Sequence, residues 1–545
     1  MHATWLLLAA LPVFFLALDA NSIWDANEAF YVETPRQMVE SGDYVTPTFN
    51  DAERVNKPVL SYWIVAGLYQ MFGVSVGVER LGIALGALAI IAVAFLIGRA
   101  LRSPATGVIA ALILATAPRL VMHGRRIFID IYITAFMALT LACFVLAERH
   151  PEHRRRYLLL MYGCIGMGML TKGPIALVLP GLVCALWFTF ERRWADVRRL
   201  ALLPGLGIVL AVVVPWYAAI VTRHGWGPVT GFFLGENVDR YLSSMVPGDA
   251  RPFWFYLPVL FSDLFPWALL LIMPLLYAAP VWVARRWPEA QDVGTPASIR
   301  RLLWWWIVAI VVVFSLSETK QDLYIFPVVP AVAALVADVL VRFEFGRRHR
   351  GVKAILAVAA MLSAVAGGLI GSLFRDGAYA LDGAGLASAV LVGGGVLTVV
   401  WLALARERTA VLTLAGTFVL FNYVFVSVVL PSVERFKPTP AFAGVIAARG
   451  TPDDRVGSYH YMLPSLVYYA NRPVVELDTP EQVRDFYSRP GGWVMMREDA
   501  RFEDVRREVP GLCVADSRPV FEAQLGQLLD RRLPGRVLLV TNRCP

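Results

Sequence analysis

Four separate stretches of this chain set charged residues into apolar surroundings, and their types suit acid–base work on a phosphate-bearing ligand. In residues 20–77, Asp25 and Glu28 stand three apart, so one helical turn places both carboxylates on one face. They read as a general base or charge-orienting pair. The plainer alternative is a helix cap with a first-turn acid offsetting the helix dipole. Lys57 precedes Pro58 at a helix start, a point charge suited to a phosphate group. The segment PRLVMHGRRIFIDIY groups Arg119, His123, Arg125 and Arg126 beside Asp130, which stands just inside an apolar run, where an ionisable group is a functional candidate. An anionic ligand or a set of internal ion pairs would explain these arginines. LTKGP adds Lys172, and SETKQDLYIFP adds Glu318, Lys320 and Tyr324. Cations from four connections, with carboxylates from three, describe a polyanion site such as one for a lipid-linked phosphate.

The elements that must position these groups are membrane helices. Hydrophobic types make up 57% of the 545 residues and charged types only 17%, whereas a water-facing protein carries about 25% charged residues. Mean hydropathy is +0.59. About 20 apolar residues cross a bilayer, and thirteen runs meet or approach that test: 3–19, 78–98, 105–119, 127–147, 157–171, 174–191, 202–221, 254–284, 303–316, 325–341, 355–374, 384–405 and 410–430. The first run lacks a basic leader and an A-x-A exit, so it is expected to be a retained span. Arg99/Arg102, Arg149 with Arg154–156, Arg192/Arg193/Arg198/Arg199, Arg285/Arg286/Arg300/Arg301, Arg342/Arg347/Arg348/Arg350/Lys353 and Arg406/Arg408 follow the even-numbered runs, which makes that face and the N-terminus cytoplasmic. The net charge of +8 is then a topology signal, with no nucleic-acid partner implied. The opposite face carries residues 20–77, loops near 119–126, 171–173 and 317–324, a loop at 222–252, and the polar residues after 430. Residues 26–41 and 58–72 read as amphipathic helices on that interface, the former capped at Ser41-Gly42. Residues 1–430 are expected to form the membrane domain.

Residues 431–545 change composition. RPVVEL, GGWVMM and GRVLLVT read as strands, with helices near 439–449, 479–488 and 521–531, forming a small outer α/β domain. Cys513 and Cys544 share that oxidising compartment, where a disulfide can form, while Cys143, Cys164 and Cys184 sit in apolar runs. His150, His153 and His349 fall in basic clusters and His460 in the outer domain, so no spacing supports a metal, though a divalent ion assisting the reaction stays open.

The ordered segments N-E-A-F-Y-V-E-T-P-R-Q-M, S-G-D-Y-V-T-P, N-K-P-V-L-S-Y-W, R-R-I-F-I-D, T-K-G-P and S-x-x-K-x-x-x-Y-x-x-P resemble the bacterial aminoarabinose transferases, relatives of the protein O-mannosyltransferases with the GT-C fold. The resemblance covers most of residues 20–340. It implies a membrane helical bundle of about thirteen spans that transfers a sugar from a polyprenyl-phosphate donor to a lipid or glycan acceptor, such as lipid A, at the outer face of the inner membrane. It implies carrier-phosphate contact by Lys57, a working acid at Asp130 and an aromatic at Tyr324. Arg125, Arg126, Lys172 and Lys320 join Lys57 as candidate phosphate contacts. The chain departs from the family at Asn27, where an acid is expected, and at Phe30, where an arginine is expected; Asp25 or Glu28 would then supply the carboxylate. A lipid-linked sugar transporter and a protein O-glycosyltransferase are the competing readings.

Overall fold

The computed structural model describes residues 1–25, 27–243, 251–273, 296–344, 350–521, 528–530 and 532–544. Each of the thirteen apolar runs holds helix. The run 254–284 is helical at Tyr256–Asp263 and Trp267–Leu271, and its remainder past 273 lies outside the described residues. So do Arg285, Arg286, Arg347, Arg348, His349 and most of the expected helix 521–531. Among the described residues, eight helices are long and apolar enough to cross a membrane, and His2–Phe14, Pro104–Thr116 and Ile175–Phe190 are shorter apolar helices. The stretch Asp322–Arg342 is 89% buried within the protein and forms the bundle's centre, whereas Leu202–His224, Arg350–Phe374 and Ala384–Ala403, each 28% buried, lie at its rim.

Local signals explain where helices start and why they pack closely. Ser75 caps Val76–Leu101 by accepting from the Val78 N–H at 3.1 Å, and Ser103 does the same for Pro104–Thr116. Where these two helices meet, a Cβ on Gly98 would stand 2.9 Å from the Thr106 carbonyl and one on Gly107 would stand 2.6 Å from the Phe95 carbonyl. Only glycine allows that approach, and in lipid such backbone contact is what holds helices together.

The connections assigned to one face do meet there. Buried Asp338 gathers Arg102, Arg300 and Arg342, Glu191 takes Arg301, and Glu148 takes Arg154 and Arg193. These arginines therefore clamp helix ends as well as biasing topology.

On the other side, Asn27–Ser41 and Leu60–Phe72 form the two helices expected near 26–41 and 58–72; the second starts after Pro58 rather than around it. Gly42, with φ +73°, ends the first by donating to the Met38 carbonyl at 3.0 Å. The first helix does not lie free on the interface. Ala29 and Val32 pack with Val65, Tyr69 and Ile127, and Tyr468 and Tyr469 cover them. Between the two helices runs a hairpin, β1 (Thr48–Phe49) and β2 (Ala52–Glu53), whose tip residues Asn50 and Asp51 take φ of +55° and +61°. The loop expected at 222–252 is largely helical where described: Gly227–Thr230 followed by a π-helical stretch, Gly231–Asp239.

The C-terminal region holds a five-stranded sheet: β3 (Arg455–Tyr459), β4 (Val474–Leu477), β5 (Gly492–Arg497), β6 (Cys513–Pro519) and β7 (Arg536–Thr541), in the order β4-β3-β5-β7-β6. β4, β3 and β5 are parallel, and β7 runs antiparallel to both of its neighbours, β5 and β6. β4, β5 and β7 match the expected strands. β3 and β6 carry Gly, Ser, Asp and Pro, which mute a strand pattern. Cys513 and Cys544 form a disulfide, with Cα atoms 5.7 Å apart.

Candidate active site

Three of the four connections bring their charges into one partly open cavity. Lys57 reaches it from the first loop, Asp130 from the start of Ile129–Arg149, Lys172 from the end of Arg154–Lys172, and Tyr324 from the short helix Asp322–Val328. Glu236 and Asn237 enter on the π-helical stretch, and Ile133, Met137, Ile175, Leu179 and Phe314 line the membrane side. The charges are paired: Lys57 with Glu236 at 2.5 Å, and Lys172 with Asp130. All four side chains are only partly exposed, between 12 and 24%. The Lys172 ammonium also lies 5.3 Å from the Tyr324 ring centre, a cation–π contact on the ring face. Two lysines and two carboxylates cancel, so the cavity is polar without net charge. An apolar floor beside two ion pairs suits an amphiphile whose phosphate exchanges for a carboxylate on a lysine.

The other candidates stand outside this cavity. Asp25 accepts from the Ser465 N–H at 2.7 Å and from the Ser465 hydroxyl at 2.6 Å, joining the first loop to the outer domain. Burial raises its carboxyl above the ordinary value, with Ser465 pulling the other way. Glu28 is fully buried, accepting from Arg126 Nε at 3.0 Å and from the Trp24 N–H at 2.9 Å, with Arg80 at 3.7 Å. Arg125 donates to the carbonyls of Val13 and Ala17, at the end of the first apolar helix. Arg119 is held by Asp263 and Asp322. Internal pairing, the alternative to an anionic ligand, is thus what this cluster displays. His123 between Phe128 and Phe326 is pushed down to about 3 by burial and by Arg119 and Arg126, so it is neutral. Lys320 donates to the Ser317 carbonyl at 2.5 Å and does not line the cavity.

Glu236, Asn237 and Tyr241 complete the site without having been singled out in the sequence. The one available signal was a carboxylate in an outer connection, 222–252, which a breaker-rich reading leaves as loop. Among the described residues no group of three or more His, Cys, Asp or Glu side chains is placed to hold a metal ion.

This architecture is the fold of the membrane-embedded GT-C glycosyltransferases. The crystal structure of ArnT from Cupriavidus metallidurans bound to undecaprenyl phosphate superposes with a TM-score of 0.78 over 99% of this chain and 98% of that one, at 24% identity. An oligosaccharyltransferase of Archaeoglobus fulgidus shares the fold more distantly, with a TM-score of 0.52 over 91% of this chain and 69% of that one, at 14% identity. A family model described as dolichyl-phosphate-mannose-protein mannosyltransferase matches residues 56–218. Among curated proteins the chain is similar to undecaprenyl phosphate-α-4-amino-4-deoxy-L-arabinose arabinosyl transferases. That of Pseudomonas paraeruginosa is 31% identical over 62% of this chain and 60% of its own length. Arabinosyl transferase 1 of Pseudomonas fluorescens is 29% identical over 63% of this chain and 58% of its own. The chain spans about three fifths of the length of these curated relatives.

Proposed function

We propose that this protein is a glycosyltransferase of a bacterial inner membrane, moving a sugar from undecaprenyl phosphate to a lipid acceptor of the lipid A type on the outer face. The paired lysines of the cavity carry the reading. Lys57 and Lys172 supply positive charge beside an apolar floor, which suits a carrier phosphate with its prenyl chain leaving toward the membrane. The acceptor oxygen attacks the anomeric carbon from the side opposite the phosphate and forms the new C–O bond. The bond from that carbon to the phosphate oxygen breaks, its electron pair stays on the phosphate, and the anomeric centre inverts. Lys57 stabilises the departing phosphate. A hydroxyl acceptor hands its proton to a carboxylate, for which Asp130 is the cavity's best-placed group; a phosphate acceptor is already anionic and needs only orientation. The N-terminus is assigned to the cytoplasm and residues 431–545 to the periplasm.

The test is transfer by purified protein in lipid, using a radiolabelled undecaprenyl-phosphate sugar and extracted lipid A. Lys57→Ala should lower transfer by about two orders of magnitude or more with normal membrane insertion. Full activity in that variant would remove the assignment. Sugar crossing vesicles without transfer would favour a transporter.

A further inference from the structure

Internal pairing accounts for Arg119 and, through Glu28, for Arg126, but not for Arg125. The Arg125 guanidinium is buried, and among the described residues it meets only the carbonyls of Val13 and Ala17, at 2.9 and 3.0 Å. Carbonyls take its hydrogen bonds and leave its charge uncompensated. Burial, and then the nearby Arg80, push it down to about 10, the direction of a cation that lacks an acid. Arg80 is also buried and donates to the carbonyls of Leu18 and Ser22, each at 2.9 Å, with Glu28 only at 3.7 Å. The Nε–H groups of both arginines lack an acceptor among the described residues. Buried cations held by dipoles alone are costly unless an anion joins them.

These two arginines and Arg126 line a second, partly open cavity, completed by Trp24, Met122 and Leu430. It shares no residue with the Lys57–Asp130 cavity, and no carboxylate lines it. Three acids stand beside it without entering: Glu28 is taken by Arg126, Glu434 by Lys437 at 2.9 Å, and Glu79 precedes Arg80 in sequence. Lys437 and Arg126 both lie over the Trp24 ring, at 4.2 and 5.2 Å from its centre. The free space among the side chains is about that of one water molecule, too small for a sugar and enough for one phosphate oxygen. The residues after the first apolar run, the connection 119–128 and the end of the last apolar run all meet here, which is the level of lipid headgroups.

We infer that this arginine cavity is a second phosphate site, taking one oxygen of a lipid phosphate among Arg80, Arg125 and Arg126, apart from the cavity proposed for the carrier. The phosphate can be borne by the lipid acceptor or by a membrane phospholipid, and the experiment separates them. The full chain is purified in maltoside micelles, which carry no phosphate. Kd is then measured by titration with phosphorylated lipid A, the same lipid A stripped of phosphate, phosphatidylglycerol and diacylglycerol. In at least one of these pairs the phosphate should tighten binding by about tenfold or more. A gain in the lipid A pair assigns the acceptor, and a gain in the glycerolipid pair assigns the membrane phospholipid. Arg125→Lys should lose part of the gain, because an ammonium offers no planar fork. Met122→Trp keeps every cation but fills the space, and should remove the gain; should it not insert, Leu430→Trp makes the same measurement. The gain should persist in Lys57→Ala, which alters only the other cavity. If phosphate changes Kd by less than about twofold in both pairs, or if the gain survives both tryptophan variants, the inference is overturned. Arginines that merely tie down the Val13 and Ala17 carbonyls would give that result. The titrations involve no transfer step, so loss of the glycosyl-transfer reading would leave them decisive.

Discussion

Lys57 and Asp130 were singled out by residue type and position, and both line the cavity, but their partners come from far along the chain. Lys57 faces Glu236 and Asp130 faces Lys172. A carrier phosphate that binds Lys57 must displace Glu236, so the carboxylate competes with the ligand. Glu236→Gln should therefore tighten undecaprenyl-phosphate binding by a few-fold, read by titration without any transfer step. Asp130→Asn should leave that affinity within a factor of about two and lower kcat by about two orders of magnitude with a hydroxyl acceptor. Weaker binding in Glu236→Gln would show that Glu236 orients Lys57 for the phosphate rather than competing with it. Asp25 stands ahead of the helix Asn27–Ser41, which carries Glu28 in its first turn, so the two carboxylates do not share a helical turn and meet different partners. One meets Ser465 and the other meets Arg126.

At the scale of elements, the first outer loop is held from above. Asp25 takes both donors of Ser465, the Ile23 N–H donates to the Tyr469 hydroxyl at 2.8 Å, and the Asn50 amide pairs with the backbone of Val474 at 2.8 and 3.0 Å. Phe49 packs at the edge of the core formed by Trp493 and Met495. The sheet domain thus positions the hairpin and the start of the helix Asn27–Ser41. Ser465→Ala strips the hydroxyl from a buried carboxylate and should cost about 1–3 kcal/mol, seen as a lower midpoint in chemical unfolding. Transfer by the folded variant should fall with it, because the loop loses its fixed height over the cavity. An unchanged midpoint would mean that the latch carries no load. The hairpin was not legible in the sequence: two-residue strands have no periodicity to read, and Asn50-Asp51 signals a turn without saying what it touches. The helices on either side of it were legible, because aromatic and apolar residues recur at helical spacing and Gly42 ends the first.

At the scale of the whole molecule, charge sorts to two faces. Arg199, 73% exposed, lies with the arginine-rich connections, and Arg507, 76% exposed, lies in the sheet domain. Arg199→Cys should react with a membrane-impermeant maleimide only after the inner membrane is broken, and Arg507→Cys should react in spheroplasts that are still sealed. The opposite pattern would invert the orientation and move the cavity to the cytoplasm. The Cys513–Cys544 bridge lies in the same sheet domain as Arg507.

Composition and periodicity alone determined that the chain lives in a membrane, how many apolar runs it has and which connections share a face. Those properties are local or additive: a run of twenty apolar residues must leave water wherever it falls, and an arginine biases its own loop. Only the tertiary structure decided which charges meet. It paired Lys57 with Glu236 across 179 residues, gave Asp25 to Ser465 across 440, and left Arg125 to the carbonyls of Val13 and Ala17. A charge can be read from sequence, but its partner depends on how helices from distant parts of the chain are packed, and it is the partner that separates a ligand-ready cation from a structural one.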